Sequence, residues 1–217
     1  MNPRDALKIL EGVGAVITDS HIVYTSGKHG PAYINKDALY PHTRETSMLC
    51  RAIAERFAAN GVQVVIAPAV GGVILSTWTA DFLTKMTLTE VLAVYADKAM
   101  IDGEDNFVIK RGYEKIIPKK RVLVVEDLLT TGGSVLKVVK AVRAIGGHVV
   151  GVGVLCNRGG VTVSDLGGVP KLEALTDIKM DAWDANDCPL CAKNIPINTS
   201  VGHGREFRFK ETNGRLN

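Results

Sequence analysis

An unbroken apolar run that stops at two acids constrains this chain most. Val122, Leu123, Val124 and Val125 show no polar alternation, which predicts a strand covered on both faces of a parallel sheet. The run ends in Glu126 and Asp127, and Leu128, Leu129, Thr130, Thr131, Gly132, Gly133 and Ser134 follow. Val135, Val138, Val139 and Val142 then share one stripe at helical spacing, so a helix comes next. A strand, an acid pair, a hydroxyl- and glycine-rich turn and a helix put a ligand site at the carboxyl end of a strand, where open α/β sheets bind.

The residue types narrow the ligand. Glycines let a backbone come close, and amides at a helix N-terminus attract an anion such as phosphate. Thr130, Thr131 and Ser134 add hydroxyl donors. Two carboxylates facing that same phosphate would repel it, so Glu126 and Asp127 suit neutral hydroxyls such as a ribose diol. Phosphate on one side and diol on the other describe a ribose 5-phosphate. The stretch is neither a Walker loop, which ends Gly-Lys-Ser/Thr, nor a G-x-G-x-x-G turn. An ordinary strand-turn-helix corner is the alternative, but it leaves two acids after four buried apolar positions unexplained.

Length and composition limit the rest. The chain has 217 residues, enough for one well-buried α/β domain with embellishments, and 46% of them are hydrophobic. No apolar run nears the roughly 20 residues that span a bilayer, and the charged N-terminus does not read as a signal peptide. A net charge of +3 is too mild to argue for nucleic acid. Four cysteines without a disulfide framework fit a reducing compartment, so a cytoplasmic protein is expected.

VLVVEDLLTTGGS resembles the phosphoribosyl pyrophosphate (PRPP) signature of the type I phosphoribosyltransferases. The resemblance implies a parallel sheet flanked by helices with a small N-terminal hood, all one domain over residues 1–217. The hood would fall within 1–40, and a C-terminal tail with a CPLC segment would occupy 180–217. A second signature points to the orotate-using branch: Thr25, Ser26, Gly27, Lys28, Tyr33 and Asn35 meet the pattern T-S-G-K-x-x-x-Y-x-N. By that resemblance Lys28 contacts substrate, and Tyr33 and Ile34 lie against the base. A surface hairpin with a solvated lysine is the bland alternative.

In chain order, a short helix is expected over 3–11, followed by two short strands near VITD and HIVYTS. Residues 44–60 read as an amphipathic helix that buries Cys50. A strand over Val62 to Ala67 leads to a turn in which Ala69, Val70, Gly71 and Gly72 would, by resemblance, cradle pyrophosphate with backbone amides. Some orotate enzymes carry a lysine there, where this chain has Gly71. After a strand over 91–97, about 20 residues without a strand pattern suggest a lid. The family's mobile lid closes over the neighbouring subunit of a homodimer and carries basic residues and a His-Gly pair. Lys98, Lys110 and Arg111 would be the basic residues here, with Asp102-Gly103 in place of His-Gly; a solvated charged hairpin is the alternative.

A helix over 134–145 and a strand over 148–156 lead to Arg158, whose planar fork suits a carboxylate. By resemblance it binds that of orotate, together with Thr130. KLEALTDI, 171–178, reads as a last strand. In the tail, Cys188 and Cys191 with His203 offer at most three zinc ligands, to be completed across a dimer, or a redox pair, but by resemblance CPLC reads mainly as a family feature. The last dozen residues, with Arg205, Arg208, Lys210 and Arg215, read as a solvated terminus.

The resemblance therefore implies transfer of ribose 5-phosphate from PRPP to orotate. The products are orotidine 5′-monophosphate and pyrophosphate, as in UMP biosynthesis, with Mg²⁺ carried by PRPP and no nucleic-acid or membrane partner. Lys28, Lys98 and Asp127 are the expected catalytic residues. Lys110 and Arg111 join Glu126, Asp127 and residues 128–134 and 69–72 in binding PRPP. A phosphoribosyltransferase for another base, or a non-enzymatic nucleotide-binding regulator of the same fold, remains the alternative.

Overall fold

In the computed structural model, residues 1–24, 26–178 and 180–214 are described, those from 210 on as backbone only. Thr25, Arg215 and the side chain of Lys210 therefore lie outside the described residues. The elements run α1 (Pro3–Gly12), β1 (Val16–Ile17), β2 (Ile22–Val23), β3 (His29–Gly30), β4 (Tyr33–Ile34), α2 (Thr43–Phe57), β5 (Val64–Pro68) and α3 (Gly72–Thr87). They continue with β6 (Leu92–Ile101), β7 (Glu104–Val108), β8 (Arg121–Leu129), α4 (Gly133–Ala144), β9 (His148–Asn157), β10 (Leu172–Asp177), α5 (Pro189–Ala192) and α6 (Gly204–Gly214). Two compact units result: residues 1–9 with 40–178, and residues 10–39 with 179–217. Among the described residues no helix is long and apolar enough to cross a membrane.

The first unit is a six-stranded sheet in the order β10-β9-β8-β5-β6-β7. All neighbours are parallel except the hairpin β6–β7. Strand alternation divides its core. Val122 and Val124 belong to the cluster that holds Val135, Val138, Val139 and Val142 of α4. Across β9, α2 comes so close that a Cβ on Gly151 would stand 2.5 Å from Phe57 and one on Gly153 2.6 Å from Ile53. Both helix side chains are fully buried, so no larger residue fits this helix-on-sheet contact.

The stretch after residue 97 differs from the expected long lid. Strand β6 runs on to Ile101 and turns back through Asp102 and Gly103, at φ 52° and 80°, into β7. Two consecutive left-handed residues suit a tight hairpin of twisted strands, so the Asp-Gly pair in place of His-Gly is turn chemistry.

The second unit has little regular structure. β1 pairs with β4 and β2 with β3, both antiparallel over two residues each. Single bridges join His29 to Trp183 and His21 to Ile197. The terminus read as solvated forms α6, Gly204–Gly214, on which Arg205 and Arg208 are exposed.

Candidate active site

Three adjacent strands of the first unit bring the residues of one site to the carboxyl edge of the sheet. β8 lies between β9 and β5, so the turns after β5 and β8 and the end of β9 are neighbours. Glu126 and Asp127 are 8% and 4% exposed, and both still belong to strand β8. Successive strand residues face opposite ways, and the two acids do so here. Glu126 lines a cleft of about 60 Å³ with residues 128–135, and its Oε1 accepts the Asp127 amide at 3.0 Å. Asp127 Oδ2 accepts the Tyr40 hydroxyl at 2.6 Å.

The cleft beside Glu126 has the features of an anion cradle. Gly132, the residue before α4, has a φ of 75°, and a Cβ there would stand 2.8 Å from Leu166. Glycine is therefore required twice over, by backbone conformation and by space. Gly132 offers no side-chain cap; the Gly133 amide donates to the Thr131 hydroxyl at 3.4 Å, and the first-turn amides that follow are left for a ligand. Thr130, Thr131 and Ser134 are exposed around it.

Arg158 is fixed against this turn through its backbone. The amides of Arg158 and Gly159 donate to the Leu129 carbonyl at 2.9 and 3.1 Å. A Cβ on Gly159 would lie 1.5 Å from the Thr130 carbonyl oxygen, so only glycine permits this approach. On the other flank, the Ala69–Val70 peptide is cis, and Val70 is 85% exposed. A Cβ on Gly71 would meet Tyr40 Oη at 3.0 Å and Asp127 Oδ2 at 3.1 Å. A side chain at position 71 would press on that hydrogen-bonded pair, which would have to give by a few tenths of an ångström.

Lys98, within β6, and Arg111, after β7, are engaged on their own hairpin. Lys98 Nζ lies 2.8 Å from Asp105 Oδ2, and Arg111 Nε lies 3.1 Å from Asp97 Oδ2. The hydrogen bond from Lys98 holds the Asp105 carboxyl below its ordinary range, and Asp97 raises the Arg111 guanidinium above its own. Lys110 is exposed.

Of the residues expected at the site, 69–72, 126–134, Lys98, Lys110, Arg111 and Arg158 belong to the first unit, and Lys28, Tyr33 and Ile34 to the second. Within the second unit, Lys28 Nζ lies 3.7 Å from Asp184 Oδ2, and Tyr33 and Ile34 form β4 opposite β1. Tyr40 was missed by sequence reasoning; a lone tyrosine after a loop carries no motif, and only the fold puts it on Asp127. The tail cysteines also differ from expectation: His21 and His29, not His203, gather with Cys188 and Cys191. His203 is half-exposed, with Nδ1 4.0 Å from Glu206.

A parallel sheet whose edge joins an acid pair to a glycine-rich helix start defines the phosphoribosyltransferase class, and residues 36–185 match the family described as Phosphoribosyl transferase domain. The orotate phosphoribosyltransferases of Desulforamulus reducens and Pelotomaculum thermopropionicum are 36% and 37% identical to this chain, each over 90% of it and 95% of the relative. That of Thermus thermophilus is 34% identical over 89% of this chain and 98% of its own. The chain belongs to the orotate phosphoribosyltransferase family. Two solved structures share the fold. The orotate phosphoribosyltransferase of Aeropyrum pernix has a TM-score of 0.63 and 24% identity, over 79% of this chain and 92% of that one. The Mycobacterium tuberculosis H37Rv enzyme in complex with PRPP has a TM-score of 0.60 and 23% identity, over 80% and 96%.

Proposed function

We propose that this chain transfers ribose 5-phosphate from PRPP to orotate, giving orotidine 5′-monophosphate and pyrophosphate. One observation carries this reading: the buried pair Glu126–Asp127 opens directly into a helix start lined by hydroxyls and glycine. The turn over 130–134 takes the 5-phosphate on amides and hydroxyls. Glu126 and Asp127 take the ribose hydroxyls, Glu126 from the phosphate side and Asp127 from the side of residues 69–72. Bond cleavage leaves positive charge on the anomeric carbon, which the two carboxylates stabilise through space.

Residues 69–72 offer the pyrophosphate their backbone. Lys98, Lys110 and Arg111 offset its charge, aided by Lys28. The ion pairs that now hold Lys98 and Arg111 are more than half exposed on the cation side. Solvent screens such exposed pairs, so a polyanion readily takes over these cations. Arg158 orients the orotate carboxylate with Thr130, while Tyr33 and Ile34 lie against the base. The donors at the sheet edge are carboxylate and hydroxyl oxygens, which suit Mg²⁺ arriving with PRPP; when bound, that ion neutralises pyrophosphate charge. A cytoplasmic homodimer completes the reading, on family grounds.

The test is an ultraviolet assay of orotate consumption with PRPP and Mg²⁺. Steady consumption that requires all three components is expected. If orotate is untouched while a purine base is consumed, the choice of base is wrong and the ribose-phosphate site stands.

A further inference from the structure

The second unit holds a cluster that the phosphoribosyl chemistry does not use. His21 precedes β2, His29 begins β3, and Cys188 and Cys191 flank the start of α5. One ligand atom from each of these four residues lies within 4.8 Å of the others. His21, His29 and Cys188 are 1%, 0% and 2% exposed, and neither cysteine is in a disulfide. Elsewhere in the described residues no such group of histidine, cysteine and acid side chains occurs.

The distances are those of one coordination shell. Around a tetrahedral zinc with sulfur at about 2.3 Å and nitrogen at about 2.05 Å, a sulfur–nitrogen edge is about 3.6 Å. Cys188 Sγ and Cys191 Sγ lie 3.7 and 3.6 Å from His21 Nε2, and Cys191 Sγ lies 3.3 Å from His29 Nδ1. His21 Nε2 and His29 Nδ1 are 2.8 Å apart, so they need to separate by only about half an ångström to reach a nitrogen–nitrogen edge.

The surroundings also orient the donors. His21 Nδ1 lies 2.7 Å from the Ile195 carbonyl. A carbonyl only accepts, so Nδ1 carries the proton and the Nε2 lone pair faces the cluster, as in histidines that bind metal. Phe207 sets its ring edge-on against His29, with centroids 4.8 Å apart. Backbone bonds hold both histidines to the tail: His29 exchanges two with Trp183, at 2.8 and 2.9 Å, and the Asn198 amide donates to the His21 carbonyl at 2.7 Å.

We propose that His21, His29, Cys188 and Cys191 form a structural zinc site that joins the residue 20–30 hairpin to the C-terminal tail. Two thiolates and two imidazoles select a borderline-soft cation of tetrahedral preference, and four protein ligands leave no open position for catalysis. A structural role fits the unit, whose paired strands are two residues long; small units with little core commonly depend on a metal.

The test uses the full chain, expressed with zinc and purified anaerobically. About one tightly held zinc per chain is expected. Replacing it with Co²⁺ should give the intense visible bands of a tetrahedral site and a near-ultraviolet thiolate charge-transfer band. His203→Ala should keep the metal, while Cys188→Ser and Cys191→Ser should each lose it at least about tenfold. Should the serine variants fail to fold, the cobalt spectrum of the wild type decides alone. Trace zinc after reconstitution, a cobalt spectrum without thiolate bands, or a Cys188–Cys191 disulfide in the anaerobic protein would overturn the proposal.

Discussion

The two units of this molecule reach order by opposite means. The sheet unit buries long apolar strands under helices: β8 alone carries six consecutive buried residues. The hood-and-tail unit has two-residue strand pairs, and at its centre two histidines and two thiols. In the first, hydrophobic burial contributes most, and polar residues appear at the strand ends, outside that core. In the second, a small set of buried apolar residues such as Ile22, Val23, Ile34 and Leu39 is joined by the buried polar side chains of His21 and His29. Function at the sheet edge can therefore change without loss of fold, whereas on the zinc proposal the second unit's cluster and its fold stand together.

The largest effect expected on the sheet unit is functional. Asp127→Asn keeps the shape and the Tyr40 contact but removes a charge near the anomeric carbon. Turnover should fall about 10²- to 10³-fold, the range for a lost electrostatic stabiliser, with thermal midpoint almost unchanged. A variant that unfolds while each folded molecule stays fully active would show that this carboxylate serves the fold alone.

Next comes packing. Gly151→Ala gains about 0.4–1 kcal/mol from a less free unfolded chain. Overpacking the buried Phe57, 2.5 Å from the new Cβ, costs about 1–3 kcal/mol, so a net loss should appear in urea unfolding. An equal or more stable variant would mean that α2 does not lie this close to β9.

Metal removal separates the units. Chelation should speed proteolytic cleavage within 180–209 by about tenfold while the sheet strands stay protected. Uniform protection, or uniform loss of it, would dissolve the contrast.

The smallest effect at neutral pH concerns the buried thiols of the sheet unit. Burial pushes Cys50 and Cys156 up to about 12, against about 8.5 in an unfolded chain. Folded pKa values raised in this way give stability that is complete below about pH 8.5 and is lost as pH rises toward 12, because the unfolded chain sheds its protons first. The urea midpoint should drop between pH 7.5 and 10, and Cys50→Ala with Cys156→Ala should flatten the drop. An unchanged slope would show that other groups set it.

Much of the sheet unit was legible in the chain. The run from Val122, the stripe Val135, Val138, Val139 and Val142, and the turn between them appear where period and glycine placement put them. Boundaries moved by a residue or two: the strand expected over 62–67 is Val64–Pro68. The lid was expected because the connection is long and shows no regular apolar period in the chain, although Phe107 and Ile117 turn out to join the core. As a strand pair its charges instead meet each other, Lys98 on Asp105 and Arg111 on Asp97.

By itself the sequence determined whatever depends on neighbours along the chain: the buried strand, the acid pair at its end, the phosphate turn, and through them the family. Local spacing fixes these, since strand alternation and helical stripes are short-range properties. Only the tertiary structure decided which way each acid faces, that Tyr40 holds Asp127, and that Cys188 and Cys191 meet His21 and His29 rather than His203. Those partners stand 87 residues apart for Tyr40 and Asp127 and 167 for His21 and Cys188. No local pattern records such a distance; the packing of whole elements closes it.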